Sequence, residues 1–557
     1  MKTQEILDRV DQETLDNIAQ ALWLPELKTD QLPQNILACL VSEKNSNKAF
    51  GERMQFRLRD MLAHPDSFTP SYRKRYKTFL QYTTALTPHQ AYVMTNLLGM
   101  DSSRGYQEIP PKANFHFPHE DAPQLGYQLG WHFFVGSCTG QNGQEYGVEF
   151  MFWQYSILPP PLARQLGLSD WENQILEMHL AVSVAGDKHY RAKPIVIAGT
   201  TGLLNFIDDP YRYTFGKNLI ESERVGSLFP LRLRGKGWNL GLDKPMEIDV
   251  ELMLASAKDY FLQGDKGCSP SVGGVGTLYY SVPNIKIDPT KSWLALNGEK
   301  VQLTGGKFWY DHQWTTGLGP AGSPRVALLR ASKNLSQSGP GGWDWFMAQF
   351  DDDREITVAA MHINENLAFY EQSGLNPPGI MTAPLTGKFI DRDGKARDLD
   401  GSLQVTEWVK SECSPDPDQY PVTHTWYPNH WVFHFGSDVP DGIRNFHMAP
   451  IVQKGQSGFF ASGAQYSEGA VYLEDEQGQH IGRGFAESVM YANTTRNIIK
   501  LAGLPDTPEM LDLIKQPAPS FLLKLWSLLY VAWPPHKAEL ERLLVSYTKT
   551  LGHKMNP

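Results

Sequence analysis

Apolar positions recur along this chain in two rhythms. From residue 1 to about 105 they return every three to four positions, as in Ile6, Val10 and Leu15, then Ile36, Leu37 and Leu40, then the runs 54–62, 72–80 and 91–98. That is the period of an amphipathic helix. Pro33, Pro65, Pro70 and Pro88 fall between these runs, where a fixed φ and a missing N–H start or stop helices. A helical N-terminal domain over 1–106 is predicted. From about 107 the rhythm changes to short segments rich in aromatic and β-branched residues, YQLGWHFFVGSCTG, QEYGVEFMFWQYSI, ILEMHLAVSVAG, KPMEIDVELMLAS and GTLYYSVPNIKI, separated by Gly, Asn and Asp turns. Such spacing specifies antiparallel sheet, closed as a barrel or paired as a sandwich. A second series of the same kind runs from 296 to about 500, so two β bodies in tandem are expected over 107–294 and 295–503. Helical patterning returns over 504–557, with Pro534-Pro535 dividing an apolar segment from a charged one.

Composition narrows the function. The 557 residues are ample for three or four cores at about 150 residues each. An aromatic share of 11%, with 15 Trp, is high for a globular chain and points to large ring-lined surfaces. The net charge of −10, without any Lys/Arg block, excludes nucleic acid as a partner, because phosphate binding needs a basic face. The first residues lack the apolar core of a secretory signal, and Cys39, Cys138, Cys268 and Cys413 have no metal or CxxC spacing, which fits reduced thiols in a cytoplasm. The longest apolar run, 521–533, is broken by Lys524 and is shorter than the ~20 residues of a spanning helix. It reads as a docked or interfacial helix. No nucleotide, zinc-protease or nucleophile-elbow fingerprint occurs, and Ser271–Gly276 runs into a strand rather than a helix, so no cofactor is expected.

The densest chemistry lies in Lys307-Phe308-Trp309-Tyr310-Asp311-His312-Gln313-Trp314. Read as a strand, it turns Tyr310, His312 and Trp314 to one face and Trp309, Asp311 and Gln313 to the other. His312 is a candidate acid or base, since imidazole titrates near neutrality, and the rings suit a cation-forming substrate. A packed barrel strand with satisfied polar atoms is the competing reading. In 342–352, alternation groups Asp344, Phe346, Ala348, Phe350 and Asp352 on one face, with Trp343 beside them. An acid at the end of such an apolar face would stay protonated to higher pH and could donate a proton, whereas Asp351 and Asp353 read as turn residues. His179 and the group His424, His430, His434 and His447 are spaced wrongly for one tetrahedral metal site, and no metal is expected. Glu468 and Glu487 stand in apolar strands and each requires a partner if buried.

Several segments in series, GWHFFVG with EYGVEFMFW, then MHLAVS, LYYSVPNIKI, GKFWYDHQW, GWDWFMAQFDDD, YSEGAVYL and GFAESVMY, resemble the AttH-like family, which includes carotenoid 1,2-hydratase and proteins similar to kievitone hydratase. The resemblance covers about 110–495. It implies two tandem lipocalin-like, calycin-type antiparallel β-barrel bodies. It also implies a cavity lined by a His-x-Trp pair, matched here by His312 and Trp314, and a Tyr-x-Asp pair, which maps best onto Phe350 and Asp352 with Phe in place of Tyr. The implied chemistry is protonation of an isolated alkene by Asp352 or Asp311. The cation would be held by Tyr310, Trp314 and Phe350, with Trp343 and Phe346 as further walls, and quenched by water that His312 orients.

The expected activity is therefore acid-catalysed hydration or cyclisation of an apolar terpenoid or polyketide alkene. Two alternatives stand beside it. One is a pericyclase that works by folding its substrate, and the other is a lipid or pigment carrier that touches membranes through 521–533.

Overall fold

The computed structural model describes residues 106–491 apart from short internal stretches, the longest being 317–341 and 363–378. The expected helical ends and the 521–533 segment lie outside the described residues. Within them the protein is mainly β, with the short helices α1 (Pro160–Gln165) and α2 (Asp441–Arg444) and a 3-10 turn, His119–Asp121.

Strands β1 (Leu129–Gly140), β2 (Glu145–Ser156), β3 (Gln174–Val184), β4 (His189–Arg191) and β5 (Ile195–Ala198) begin the first sheet. It continues through β6 (Leu204–Ile207), β7 (Arg212–Phe215), β8 (Asn218–Ser222), β9 (Leu231–Asn239) and β10 (Met246–Ser256). The last members are β11 (Phe261–Leu262), β12 (Cys268–Ser269), β13 (Thr277–Ile287), β14 (Trp293–Leu296) and β15 (Glu299–Thr315). The main path runs β4-β3-β2-β1-β15-β13-β10-β9-β8-β7-β6. This sheet curls until β9 lies against β2 and β3. A Cβ at Gly235 would collide with Phe150, and one at Gly237 with Ala192.

The second sheet holds β16 (Gly342–Phe350), β17 (Glu355–His362), β18 (Met381–Ile390), β19 (Ala396–Cys413) and β20 (Thr423–Phe435), then β21 (Asn445–Pro450), β22 (Ser457–Phe459), β23 (Gln465–Glu474) and β24 (His480–Val489). Pairing of β21 with both β20 and β23 closes it into a hydrogen-bonded ring, which removes the exposed edges.

Alternation explains each wall. In β10, Ile248, Val250, Leu252 and Leu254 fill the first core, while the acids between them face basic partners on β9, with Arg232 and Glu251 2.9 Å apart and Lys236 and Glu247 2.8 Å apart. By contrast β2 is buried almost end to end, because its inner face fills the barrel and its outer face meets the second sheet. At that seam Phe133 packs on Trp345 and Phe485, and Lys258 reaches across to Glu355 at 2.6 Å.

One expectation changes. The strand Glu299–Thr315, placed by the sequence in the second body, is hydrogen-bonded between β1 and β13 of the first. The passage from one sheet to the other falls between Thr315 and Gly342 rather than at 294/295. The chain turns at Asn297-Gly298 in a hairpin between β14 and β15, so the second series of strands opens inside the first barrel.

Candidate active site

The alternation of β15 is as the sequence predicts. Phe308, Tyr310, His312 and Trp314 point into the first barrel, where all are buried. His312 sits in a row that crosses four adjacent strands, because Phe152 of β2 faces His132 of β1, His132 faces His312, and His312 faces Tyr280 of β13. The rings of His132 and His312 stack with centroids 3.8 Å apart, and His132 stacks on Phe152 at 4.5 Å. His132 Nδ1 is 2.8 Å from the Tyr310 hydroxyl. Trp314 lies against His312 at 4.6 Å.

Over the end of this row comes the segment that carries the 3-10 turn. Phe117 meets Tyr280 edge-on at 4.8 Å, and Phe115 meets Trp314 edge-on at 5.7 Å. Both rings are half-buried, and Phe117 stacks on the exposed Tyr260 at 3.7 Å. Four residues beyond Phe117, the Asp121 carboxyl is buried beside Tyr280, whose hydroxyl donates a hydrogen bond to Oδ1. The same hydroxyl stands 3.4 Å from His312 Nδ1. Tyr280 thus bridges an acid and an imidazole.

Burial sets the protonation states. Removal from water disfavours the carboxylate of Asp121 and pushes its pKa up to about 7, against the pull of the Tyr280 hydrogen bond. Burial likewise disfavours imidazolium, lowering His312 to about 3 and His132 well below its ordinary value, with His312 adding to the effect on His132. Near neutrality the row therefore offers a protonated acid next to two neutral imidazoles. Environments that push an acid up and a base down assign the donor and the acceptor.

The other candidates occupy other places. Asp311 is on the outer face of β15, turned to the seam, and accepts hydrogen bonds from Tyr279 at 2.6 Å, from Trp309 Nε1 at 2.7 Å and from Ser281. Burial raises it to about 7 as well, opposed by those three donors. Trp343 is also at the seam, where its indole donates to Glu487 at 3.2 Å. Phe346 and Phe350 point into the second barrel, against Phe433 at 4.9 Å and Phe446 at 5.4 Å. They cannot share a wall with His312, because β16 belongs to the other sheet.

Asp352 is not at a cavity. Strand β16 ends at Phe350, so the alternation that placed Asp352 on an inner face stops two residues short of it. Its carboxyl lies in the hairpin turn 2.5 Å from Arg354 and 2.7 Å from Arg392. Partial burial works to raise its pKa, but the two guanidinium groups outweigh this and hold it below the ordinary carboxylate range. A donor needs its proton, and this group has lost it.

Glu468 and Glu487 face each other across β23 and β24 in the seam. Arg191 lies 3.6 Å from Glu468 and binds Glu149 with both terminal nitrogens at 2.7 Å. His179 sits in the same layer, 2.9 Å from Glu177 and hydrogen-bonded to Tyr466. Among the described residues, no group of three or more His, Cys, Asp or Glu is disposed to hold a metal ion, and no helix is long and apolar enough to cross a membrane.

The sequence reading missed Asp121, Tyr280, His132, Phe115 and Phe117. His132 and Tyr280 were visible in the segments GWHFFVG and LYYSVPNIKI, and become significant once register sets them beside His312. Asp121 lies in the aperiodic stretch NFHFPHEDAP, where only tertiary closure gives a carboxyl its surroundings.

A model of the AttH-like family matches residues 108–491. Among solved structures, an AttH protein from Nitrosomonas europaea is similar at 17% identity and a TM-score of 0.49, covering 69% of this chain and 99% of that one. Kievitone hydratase from Nectria haematococca is similar at 12% identity and a TM-score of 0.43, covering 71% of this chain and 98% of that one. No curated protein matches the sequence.

Proposed function

The chain belongs to the AttH-like family, and from that premise we propose that it is an enzyme that protonates a carbon–carbon double bond of an apolar terpenoid or polyketide substrate at the end of the first barrel, adding water or closing a ring. The observation that carries the reading is the Asp121 carboxyl, buried among rings and bridged by Tyr280 to His312. Among the described residues Tyr280 is its hydrogen-bonding side chain, through Oδ1, which leaves Oδ2 to address a substrate.

In the proposed cycle Asp121 gives its proton to one alkene carbon, and the adjacent carbon becomes cationic. The faces of Tyr280, Trp314 and Phe115 surround that charge, and ring faces stabilise a cation by roughly 0.5–2 kcal/mol each. Neutral imidazoles add no opposing charge. Water attacks the cation and yields a proton to His312, a general base oriented by the row it stands in. The proton then returns from His312 through the Tyr280 hydroxyl to the Asp121 carboxylate. Each turnover consumes one water and regenerates both groups. For ring closure the cation is quenched by a second double bond, and His312 removes the final proton.

The test incubates the protein with a lipid extract in heavy-oxygen water and analyses the bound small molecules by mass spectrometry. An apolar ligand that gains one heavy oxygen with the wild-type protein, and none with Asp121→Asn, supports hydration. An isomerised ligand without label, lost in the same variant, supports ring closure. Product formation that survives Asp121→Asn overturns the assignment of the acid, and an unchanged ligand in both favours carriage.

A further inference from the structure

The His312 row is shut off from solvent. His132, Tyr280, His312 and Trp314 are each no more than 2% exposed, and Asp121 is 5% exposed. An apolar substrate therefore reaches them only if part of the surround moves. The strands that carry the row are laddered to one another by backbone hydrogen bonds, and such elements open at high cost. The cover over the row is built differently.

Residues 108–124 form a loop that leaves the barrel and returns to it at one place. The Gln107 N–H donates to the Gly126 carbonyl at 2.9 Å, and the Gln107 carbonyl accepts from the Thr316 hydroxyl at 2.6 Å. On either side of these anchors the Tyr106 hydroxyl donates to the Ser156 carbonyl at 3.2 Å, and the Ser156 hydroxyl donates to the Tyr127 carbonyl at 2.6 Å. Loops whose ends are joined in this way, and which are packed by their own side chains, behave as compact units. Among the described residues, no backbone-to-backbone hydrogen bond ties 108–124 to a strand. Those the loop makes are internal, as from Asp121 N–H to Pro118 and from Ala122 N–H to His119.

Side chains hold the loop down instead. Phe115 lies edge-on to Trp314 and is seated over Gly267, where φ is +93° and a Cβ would come within 2.2 Å of the ring. Phe117 and Asp121 both rest on Tyr280. The remaining fastenings are at the rim and wet. Phe117 stacks on Tyr260, which is 46% exposed, and His119 Nδ1 lies 3.1 Å from Asp208 in the turn after β6, with both side chains at least half exposed. Exposed contacts of this kind are weak, so the rim is where the cover would part first.

We infer that 108–124 is a flap hinged at its joined ends, Gln107 and Gly126, that it is the way into the first barrel, and that it carries the acid with it. The second part rests on the reading of Asp121 as proton donor. Opening lifts Asp121 off Tyr280 and breaks the bridge to His312. Closing over an apolar substrate restores the bridge and excludes bulk water, so donor and acceptor are assembled only while the barrel is shut.

The experiment is acylation of histidine by diethyl pyrocarbonate on the full chain near neutral pH, read by peptide mass spectrometry. The reagent attacks neutral imidazole, the form that burial favours in His132 and His312. These two report the flap, and His179, buried at the seam, reports any general loosening. Slow labelling of the pair is expected in the wild type. Tyr260→Ala removes the stack on Phe117 and is expected to speed labelling of both by about twofold to tenfold, the weight of one aromatic contact in an opening equilibrium. His119→Ala removes the exposed ion pair and should speed it by about twofold, with His179 unchanged in both variants. Thermal melting checks the fold, and His119→Ala carries the test should Tyr260→Ala prove unstable. Labelling of the pair at the wild-type rate in the folded variants places the entrance elsewhere and overturns the inference. A rise shared equally by His179 overturns it as well, and so does a pair that stays unlabelled in the double variant. Because labelling needs no substrate, failure of the flap is distinct from failure of the acid, which is read as product formation that survives Asp121→Asn.

Discussion

Asp121 and Asp311 are two aspartates on opposite sides of one sheet, both buried and both raised to about 7, yet they are built for different work. Asp311 accepts from Tyr279, Trp309 and Ser281, so both its oxygens are committed. Asp121 accepts from Tyr280 on one oxygen and stands beside the stacked imidazoles. The difference teaches that a raised pKa does not by itself identify a catalytic acid. Burial alone gives the shift, and the count of donors already spent on the carboxyl decides whether it can act on anything else.

The comparison breaks most visibly in rate. Asp121→Asn is expected to lower turnover by about 10²–10⁴-fold, the usual weight of a general acid, while Asp311→Asn leaves it within a few-fold. Steady-state assays on whichever substrate the labelling experiment yields would check this, and the opposite ranking would transfer the chemistry to the seam. Activity should also depend on pH through the Asp121 proton. The rate is expected to be level below about pH 7 and to fall tenfold per unit above it, and a rate that instead rises through pH 7 would contradict Asp121 as donor. His312→Gln should cost about tenfold to a hundredfold, since it removes the proton acceptor but leaves the donor; product analysis should then show premature deprotonation of the cation.

Stability sharpens the same contrast at smaller magnitude. Each of the two carboxyls binds its proton more tightly in the folded chain than the ordinary 3.8 of the unfolded one. Folding stability is therefore undiminished by them below about pH 4, falls as pH rises towards 7, and is level beyond. Asp121→Asn removes its share of that loss, so urea midpoints of variant and wild type should coincide near pH 4 and separate, with the variant more stable, by pH 8. Asp311→Asn sets an amide NH₂ against part of its set of three donors and should destabilise by about 1–3 kcal/mol near pH 4, the deficit shrinking as pH rises through 7. Asp352→Asn, in its half-buried turn, gives up two ion pairs and should cost no more than about 1 kcal/mol while leaving turnover alone. Urea unfolding of the three variants side by side would rank them, and an activity loss with Asp352→Asn would restore it as a site residue.

Much of this was legible in the chain. The two-residue period of Trp309 to Trp314 fixed which side chains share a face, and the β segments fell where the strands are. Alternation is a local property, and local properties survive into the fold. The errors arose where a local pattern was extended past its element or across sheets. Asp352 was carried on the alternation of β16 beyond Phe350, where the turn begins. Phe346 and Phe350 share the right chemistry with His312 but stand in a different barrel, and nothing within nine residues of strand says which ring a strand joins. Asp121 was invisible for the converse reason. Its segment has no period, its pKa is raised by burial, and the hydroxyl that binds it belongs to Tyr280, which lies 159 residues away in sequence.

That distance has a consequence for how the protein comes into being. The hydrogen bond between His132 and Tyr310 joins residues separated by 178 positions, and the row cannot assemble until β15 has docked between β1 and β13. Long-range pairing of this kind is slow, and it closes after the local hairpins on either side. On the ribosome the acid and the imidazoles would remain strangers until more than half of the chain had emerged. A nascent or clipped chain ending before Glu299 would hold most of the first barrel's strands but lack His312 and Tyr310, so the reactive cluster doubles as a late checkpoint on complete folding.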